Sequence, residues 1–335
     1  MKRIAILGAG SMLLAAALAA IPATAGAQGA EELTKKLLFT APMTDDGTNV
    51  PADAVSIDAC LTGATEILGT NFFDSCADQA TGPVPEAGKT PGYLQLTDAS
   101  EYNSGAAFLN KALPNKGGIE VTFAQYQYGG TGADGISFFL VDGDTDLTES
   151  GALGGSLGYA QNKNFDGVDG GYLGLGLDAW GNFSADTEGR GVGCPEDYRA
   201  PSYLSVNTNK APDNVALRGP GQGKEGYCLL ATTATDEKIG EYTGGDIYGT
   251  DFPESLRSET LADAKRLVKL KVGDGDHPKV TVDIDFQDGA GWTRVLESEV
   301  PFAAPDTFKI GFAASTGRAT DVHLIRHLRV ETFVD

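Results

Sequence analysis

The sequence has 335 residues and a formal net charge of −21 at pH 7, from 46 acidic and 25 basic side chains. This charge argues against nucleic acid as a partner, because binding to nucleic acid depends on neutralising phosphates. It is compatible with a soluble protein outside the cell and with binding of divalent cations. Glycine accounts for 45 residues. Short runs bounded by Gly, Asp, Asn and Pro recur without a long amphipathic helix pattern, which favours an all-β fold.

The N-terminus has the pattern of an export signal. Lys2 and Arg3 precede an almost wholly apolar run over 4–21, and the small residues at 23–27 fit the cleavage pattern of a signal peptidase. The sequence therefore predicts a signal peptide over 1–27 and a secreted, periplasmic or cell-surface protein. A retained transmembrane anchor is the alternative, since the run is nearly long enough to span a membrane. The mature chain contains no other apolar run of that length.

Cysteine usage supports export. Four cysteines lie in the mature chain, and an even number in an exported protein suggests two disulfides. Three pairings are possible. The pairs Cys60–Cys76 and Cys194–Cys228 are favoured because each closes a local loop. The first pair falls within the loop-rich segment 43–91, which we interpret as a disulfide-stapled insertion.

The strand pattern begins at 36–42 and becomes regular after Gly92. The predicted strands are 93–97, 106–110, 119–128, 136–142, 172–178, 202–206, 214–219, 226–232, 266–272, 279–286, 307–315 and 322–333. Residues 233–265 are less regular, and 253–266 contains good helix formers. His323 and His327 alternate along the last strand and are expected at the surface or an edge. With no repeat and no break in composition, residues 28–335 are predicted to form a single domain. We expect a two-sheet antiparallel jelly-roll sandwich.

Oxygen-bearing side chains follow the predicted strand 172–178. Asp178 ends this strand and Asn182 follows four residues later, with Gly181 allowing the loop to fold back. Carboxylate and amide oxygens are ligands of hard cations such as Ca²⁺, and Asp186 or Glu188 could complete the coordination. The alternative is a turn in which Asp and Asn bond their own backbone.

This segment resembles the legume-type (L-type) lectins in a bacterial, secreted form. The family has a strand ending in Asp-x-aromatic-x-Asn, matched here by Asp178, Trp180 and Asn182. The resemblance implies a Ca²⁺ site formed by Asp178, the Trp180 backbone carbonyl and Asn182. Asp186, from its position after this loop, is expected as a further metal ligand. The upstream GADGISFFL matches the family's Ala-Asp-Gly strand start, where the Asp accepts hydrogen bonds from sugar, usually after a cis peptide. Asp134 is its counterpart.

Two further loops extend the resemblance over roughly residues 92–335. GGSLG (154–158) is similar to the glycine loop whose backbone N–H faces the sugar, with Gly155 as the best match. IGFAASTGRATDVHLI (310–325) is similar to the last loop near the sugar. The carbohydrate-binding residues that the resemblance implies are Asp134, Gly155, Trp180, Asn182, Gly317 and Arg318.

The sequence departs from the family at two positions. Gly176 stands where the family has the Glu that holds a transition metal in the plant proteins. The family's His after the metal loop has no equivalent in 199–206. These departures argue against a second metal site and leave the calcium shell without two of its usual neighbours.

The resemblance implies a secreted, calcium-dependent, non-catalytic carbohydrate-binding protein whose partner is a glycan or polysaccharide. It can be oligomeric, because such sandwiches can pair edge to edge. One alternative is a structural or adhesive module that no longer binds sugar. Another is a glycan-cleaving enzyme, although the Glu-x-Asp-x-x-Glu spacing of one such family is absent. The sequence specifies neither the sugar nor the oligomeric state.

Overall fold

Antiparallel strands dominate this computed structural model, which describes residues 34–46, 50–66, 73–206, 208–252 and 254–334. The signal peptide expected over 1–27 lies outside these residues. In chain order the strands are β1 (Thr34–Ala41), β2 (Ala54–Ile57), β3 (Cys60–Leu61), β4 (Leu94–Thr97), β5 (Ser104–Pro114), β6 (Ile119–Tyr128), β7 (Gly135–Asp142), β8 (Gly171–Asp178), β9 (Asn214–Arg218), β10 (Gly221–Gln222), β11 (Glu225–Gly226), β12 (Leu229–Thr232), β13 (Ala234–Tyr242), β14 (Gly245–Thr250), β15 (Arg266–Val272), β16 (Lys279–Asp285), β17 (Trp292–Glu299), β18 (Thr307–Ser315) and β19 (Val322–Val334). Short 3-10 helices lie at Cys76–Asp78, Gly154–Ser156, Glu196–Tyr198 and Ser202–Leu204. None of the helices in the described part of the chain is long and apolar enough to cross a membrane.

Most of these strands form two large sheets. The back sheet has the order β17, β16, β15, β6, β19, β4, β3, and β1 pairs with residues 328–334 of β19. The front sheet has the order β12, β9, β8, β7, β18, β5, β2. Neighbouring strands within both sheets are antiparallel. Two small ribbons, β10–β11 and β13–β14, complete the pairing among the described residues.

The two large sheets pack face to face through a shared apolar core. Phe123 on β6 of the back sheet lies against Phe138 and Phe312 on β7 and β18 of the front sheet, with ring centroids 5.7 and 4.9 Å apart. This packing follows from the period of two in a strand, which places alternate side chains on opposite faces. In β15, for example, Val268, Leu270 and Val272 are buried in the core. The expected two-sheet antiparallel sandwich is therefore confirmed.

The front sheet is also covered on its outer face. Phe139 of β7 packs there in a second apolar cluster with Tyr159, Phe183 and Tyr227 from loops. Gly174 of β8 leaves room for the Tyr159 ring, because a Cβ at that position would lie 2.1 Å from it. Loops over this face carry most of the candidate site residues.

Several sequence predictions of local structure are wrong. Residues 202–206 were expected as a strand, but Ser202–Leu204 is a 3-10 helix whose Leu204 packs into the cluster on the outer face. The strand expected over 226–232 begins at Leu229. Part of the less regular segment 233–265 forms the β13–β14 hairpin.

The short helix considered over 253–266 is absent from the described residues 254–266. The carbonyls of Ser255 and Asp263 accept hydrogen bonds from the Arg266 guanidinium, each at 2.8 Å. The Arg257 guanidinium pairs with the buried Asp321 carboxylate at 2.8 Å. These tertiary contacts outweigh the local helix propensity, which is a weak preference.

Both favoured disulfides are present, Cys60–Cys76 and Cys194–Cys228. The segment 43–91, expected as an insertion, contributes an edge strand to each sheet, because β2 pairs with β5 and β3 pairs with β4. Disulfides persist in oxidising compartments, so this pairing is consistent with a protein outside the reducing cytosol.

The surface or edge position expected for His323 is wrong, whereas His327 is exposed as expected. β19 lies between β6 and β4, so His323 is fully buried and its Nδ1 lies 2.7 Å from the Thr97 hydroxyl. Burial lowers the pKa of His323 to about 3, and the ring is therefore neutral in solution near neutral pH.

Candidate functional site

Asp134 lies at the entry to β7, directly after a cis Ala133–Asp134 peptide bond. Its Oδ2 accepts a hydrogen bond of 3.0 Å from the Ser315 hydroxyl at the end of the neighbouring strand β18. The same hydroxyl accepts the Gly154 N–H at 3.0 Å, so Ser315 joins Asp134 to the glycine loop. The Trp180 N–H donates to the Asp134 carbonyl at 2.8 Å. The loop that contains Asp134, the glycine loop over 154–158 and the loop after β8 therefore meet at this residue.

Asp134 is buried, with 7% of its surface exposed to solvent. Burial raises the pKa of Asp134 to about 7, and the Asp178 and Glu188 carboxylates act in the same direction. The hydrogen bond from Ser315 and the positive charge of Arg190 partly oppose this shift. A carboxyl group with this pKa changes charge near neutral pH, and such groups are common at functional sites.

Gly155 and Asn182 are in direct contact. A Cβ at Gly155 would lie 2.5 to 2.6 Å from the Asn182 amide group, so only glycine leaves space for this side chain. The Asn182 Oδ1 atom is buried and has no hydrogen-bond partner among the described residues. An unsatisfied buried acceptor is costly, and native proteins usually pair it with a donor. The Asn182 amide therefore has capacity for a ligand, water or cation at this position.

The loop after β8 bonds its own strand-ending carboxylate. Asp178 is fully buried, and its Oδ1 and Oδ2 atoms accept the N–H groups of Gly181 and Phe183 at 2.8 and 2.6 Å. This is the turn arrangement considered as the alternative to a metal site. Burial raises the pKa of Asp178 to about 6, although these two N–H groups and the charges of Arg190 and Lys210 lower it.

Gly181 allows a second segment to dock on this loop. Its φ is +97°, and a Cβ there would lie 2.2 Å from the carbonyl carbon of Ala211. Two backbone hydrogen bonds fasten the segment, from the Ala211 N–H to the Gly181 carbonyl at 2.8 Å and from the Asp213 N–H to the Ala179 carbonyl at 3.3 Å. This docking sets the position of Lys210.

Lys210 lies above the Trp180 ring. Its ammonium nitrogen is 3.2 Å from the Trp180 ring centroid and 4.3 Å from that of Tyr242, which packs edge-on against Trp180. Burial lowers the pKa of Lys210 to about 8, while the negative charge of Asp178 opposes the shift. Trp180 was expected to bind sugar, but one face of its ring is occupied by a cation of the chain itself.

The two carboxylates that could close a calcium shell pair with buried arginines. Asp186 Oδ1 lies 3.1 Å from Nη2 of Arg218, and its Oδ2 accepts the Ala200 N–H at 2.8 Å. Glu188 lies 3.2 Å from Nη1 of Arg190, whose guanidinium also bonds the Ala185 carbonyl at 2.9 Å. These two arginines hold the loop that follows Asn182 from inside.

The remaining expected residues lie at the rim. Gly317 is near the Asp134 carboxylate, since a Cβ there would be 3.8 Å from Oδ1. Arg318 is directed to the Tyr102 hydroxyl at 3.2 Å and is exposed. Gly176, which replaces the family's Glu, leaves room for Phe183, because a Cβ there would lie 2.2 Å from that ring. An aromatic ring thus fills the place expected for a transition-metal ligand.

The residues present do not fit the calcium ion that the resemblance implies. Both Asp178 oxygens accept backbone N–H groups, and Asp186 is paired with a guanidinium. Two fixed cations, Lys210 and Arg190, interact electrostatically with Asp178. Within the described residues there is no group of three or more His, Cys, Asp or Glu side chains arranged to hold a metal. Ca²⁺ needs six to eight oxygens, and among the fully buried side-chain oxygens of Asp178, Asn182 and Asp186 only Asn182 Oδ1 lacks a partner.

Three residues of the site were not predicted from the sequence: Ser315, Arg190 and Lys210. Ser315 was within the expected last loop region, but nothing in its immediate neighbours marks it as the partner of Asp134. Lys210 lies in an irregular segment, and its proximity to Trp180 results from docking at Gly181. Such contacts arise from tertiary packing and leave no periodic signal in the sequence.

The two sheets define an antiparallel jelly-roll sandwich, which is the fold that the resemblance to the L-type lectins implied. No protein-family model and no curated protein matches the sequence. Among solved structures, the chain is similar to the exoplasmic/lumenal domain of VIP36 in its Ca²⁺/Man3GlcNAc-bound form, with 15% identity, 72% of this chain and 81% of that chain covered, and a TM-score of 0.45. It is similar to peanut lectin, with 16% identity, 91% and 99% coverage and a TM-score of 0.45. It is also similar to metal-free lectin I-B4 from Griffonia simplicifolia, with 14% identity, 88% and 98% coverage and a TM-score of 0.46. The fold follows from the observed sheets, and the proposals about the site rest on the residues of this chain alone.

Proposed function

We propose that this chain is an exported, non-catalytic carbohydrate-binding protein. In this proposal, Asp134 and Asn182 accept hydrogen bonds from adjacent sugar hydroxyls, and the backbone at Gly155 donates one. Gly317 and Arg318 lie at the rim, where they contact the substituents that distinguish one sugar from another. The support for export is the pair of disulfides together with the signal pattern over 1–27.

The observation that carries the proposal is the unsatisfied Asn182 Oδ1 beside Gly155. Asp134 lies across the same loops, buried and hydrogen-bonded through a single side chain, Ser315. A polyhydroxylated ligand offers several O–H donors at short spacing, which matches two neighbouring acceptors. The calcium dependence that the resemblance implied is left out of the proposal, because the carboxylates of the loop are already paired.

Substitution of Asp134 tests the proposal. We expect the wild-type protein to bind a subset of glycans on an array, and Asp134→Asn to bind them about 10- to 100-fold more weakly, since a hydrogen bond to a charged group contributes about 1.5–3 kcal/mol. Isothermal titration with the best glycan gives the dissociation constants. The matched control is Asp144→Asn, an exposed carboxylate beyond the other end of β7. Unchanged affinity in Asp134→Asn would place the site elsewhere.

A structural or adhesive module is favoured by one observation, the position of Lys210 over the Trp180 ring. Wild-type protein that binds no glycan while unfolding cooperatively would support that function. Glycosidase activity requires a second carboxylate that reaches the scissile bond. Asp178 is fully buried with both oxygens bonded, so it is a poor candidate for that role. Release of reducing ends from polysaccharide would contradict the non-catalytic proposal.

A further inference from the structure

The loop from Asp178 to Asn182 is surrounded by more fixed positive charge than its sequence motif suggests. Arg190 and Arg218 are almost completely buried, and Lys210 is 8% exposed. Each lies against a group that was expected around the calcium ion: Arg218 against Asp186, Lys210 against Trp180, and Arg190 against Glu188. The cations therefore occupy the surroundings of the expected metal.

The chain holds these cations in place through several contacts. Arg190 donates to the Ala185 carbonyl and to the hydroxyls of Ser156 and Thr187, at 2.9, 3.1 and 3.2 Å. Arg218 donates to the carbonyls of Phe183, Tyr227 and Ala185 at 2.8, 2.8 and 2.9 Å. Five of these six contacts are made with the loops around Asn182 and Gly155. A buried guanidinium with this many acceptors acts as a permanent organising charge.

Lys210 is held by backbone and by aromatic rings. Its N–H donates to the Asp246 carbonyl at 3.1 Å, and its carbonyl accepts the Tyr248 N–H at 2.9 Å. The ammonium group is attracted to the faces of Trp180 and Tyr242, an interaction that is stronger when it is shielded from water. A divalent cation at the same loop would meet the repulsion of this ammonium group.

We propose that Lys210, Arg190 and Arg218 together replace the calcium ion, so that the loop from Asp178 to Asn182 is organised by the chain's own cations and binds its ligand without metal. Lys210 supplies the charge beside Asp178, and the two arginines hold the carboxylates that would otherwise ligate the ion. Lys210 is thus a positioning residue. The inference deepens the proposed function and rests on it for the glycan, but its metal and stability measurements need no glycan.

Metal dependence is the direct test. We expect the thermal unfolding midpoint of the wild-type protein to be the same in EDTA and in millimolar Ca²⁺. A ligand that binds only the folded state raises its stability, so a reversible increase with Ca²⁺ would overturn the proposal. Glycan affinity, where measurable, is expected to be equally indifferent to EDTA. If no glycan binds at all, the proposed function fails, whereas the midpoints still decide this inference.

Terbium luminescence locates any metal at the loop itself. The chain has two tryptophans, Trp180 and Trp292, so Trp292→Phe leaves Trp180 as the one indole sensitiser. Excitation at the red edge of the tryptophan band avoids the 11 tyrosines. Tb³⁺ favours the same oxygen ligands as Ca²⁺ and is excited by a nearby indole. We expect no saturable emission in this variant. Saturable emission that Ca²⁺ displaces would overturn the proposal.

Three lysine variants test the role of the charge. Lys210→Met keeps most of the apolar stem and removes the ammonium group, and we expect it to lower the unfolding midpoint by several degrees and glycan affinity about tenfold. Lys210→Arg restores the charge and should recover most of both. The matched control is Lys269→Met, because Lys269 lies over the ring of Trp292 at 3.9 Å on another part of the surface. If Lys210→Met retains the wild-type midpoint, or if Lys210→Arg is as impaired as Lys210→Met, the proposal is wrong.

Discussion

Asp134 is placed to accept hydrogen bonds from a ligand, and its pKa is raised. It is joined to the glycine loop through Ser315, and burial raises its pKa to about 7. A carboxylate accepts hydrogen bonds from sugar hydroxyls better than the protonated acid does, because only the ionised form leaves all its lone pairs free. The proposed ligand therefore selects the ionised form.

We expect glycan affinity to depend on pH through this group. Below pH 7 Asp134 is increasingly protonated, so the association constant should fall by up to about tenfold per pH unit and should level off above the pKa. Titrations between about pH 5 and pH 8, in the wild type and in Asp134→Asn, measure the effect. The Asn variant should bind weakly with a nearly flat profile over the upper part of this range. An equally steep profile in Asp134→Asn would assign the pH dependence to another group.

The raised pKa of Asp134 also makes the stability of the fold depend on pH, and here the protonated form is the favourable one. The folded-state pKa of Asp134, about 7, lies above the ordinary value of 3.8 for this side chain. Between these two pH values the folded protein therefore retains a proton that the unfolded chain loses. The contribution of this group is fully present below about pH 3.8 and is lost as pH rises through 7. The residue is therefore most useful for binding where it is least favourable for folding, which is common at functional sites.

The acceptors of the site were predictable from the sequence, whereas its cations were not. Asp134 and Asn182 stand in recognisable local patterns, and the structure brings both to the glycine loop. Lys210 and Arg190 stand in no such pattern, because their contacts depend on segments far apart in the chain. Asp186 was expected as a metal ligand from its spacing, whereas the structure pairs it with Arg218.

At the scale of elements, the site depends on how the segment 210–213 lies against the loop after β8. Two backbone hydrogen bonds join the two segments, and Gly181 allows their close approach because it has no side chain. Lys210 belongs to the docked segment, so its position over Trp180 should be lost if the docking is prevented.

Substitution of Gly181 tests this dependence. In Gly181→Ala the new methyl group would lie 2.2 Å from the Ala211 carbonyl carbon, and we expect a loss of several kcal/mol from this clash together with about 1–2 kcal/mol from the left-handed backbone. Urea unfolding measures the loss, and Trp180 emission in a Trp292→Phe background should change as Lys210 moves away. The matched control is Gly275→Ala, since Gly275 has φ +88° with nothing within 4 Å of a Cβ. Equal losses in the two variants would show that the docking contact contributes little.

Strands were predictable where the sequence is apolar or alternating and less so where it is mostly polar. β15 alternates along the sequence and in burial, and the almost wholly buried β7 and β8 were also predicted. The β13–β14 hairpin was missed because ATDEKIGEY is mostly polar and mostly exposed. Residues 202–206 have the composition of a strand, but in the structure they cover the outer face of the front sheet as a 3-10 turn.

At the scale of the molecule, the two disulfides close loops of 16 and 34 residues in different regions. In the chain-entropy model such loops stabilise the folded state by about 3 and about 4 kcal/mol. We expect Cys60→Ala/Cys76→Ala and Cys194→Ala/Cys228→Ala to lose about these amounts in urea unfolding. A variant lacking all four cysteines serves as the control, because its stability should not respond to a reductant. A wild type whose unfolding midpoint is unchanged by reduction would contradict the expectation.

The class of fold was predictable from the sequence, whereas the order of strands was not. Short runs with glycine-rich corners indicate a sandwich, and the structure has one. The assignment of each strand to a sheet follows from pairings between residues far apart, such as β6 with β19 and β5 with β18. Local sequence patterns do not indicate which distant strand is the partner. For this reason the interpretation of 43–91 as an insertion did not include the two edge strands that this segment contributes.

The last long strand of the chain is a central strand of the back sheet. β19 lies between β6 and β4 and also pairs with β1. A nascent polypeptide that has not yet reached Val322 lacks the partner of all three strands, so the back sheet cannot close before residues 322–334 have been made. Sheets built from distant partners also form slowly. Closure of the back sheet is therefore a late event in folding, because it waits for residues 322–334 however early its other strands are made.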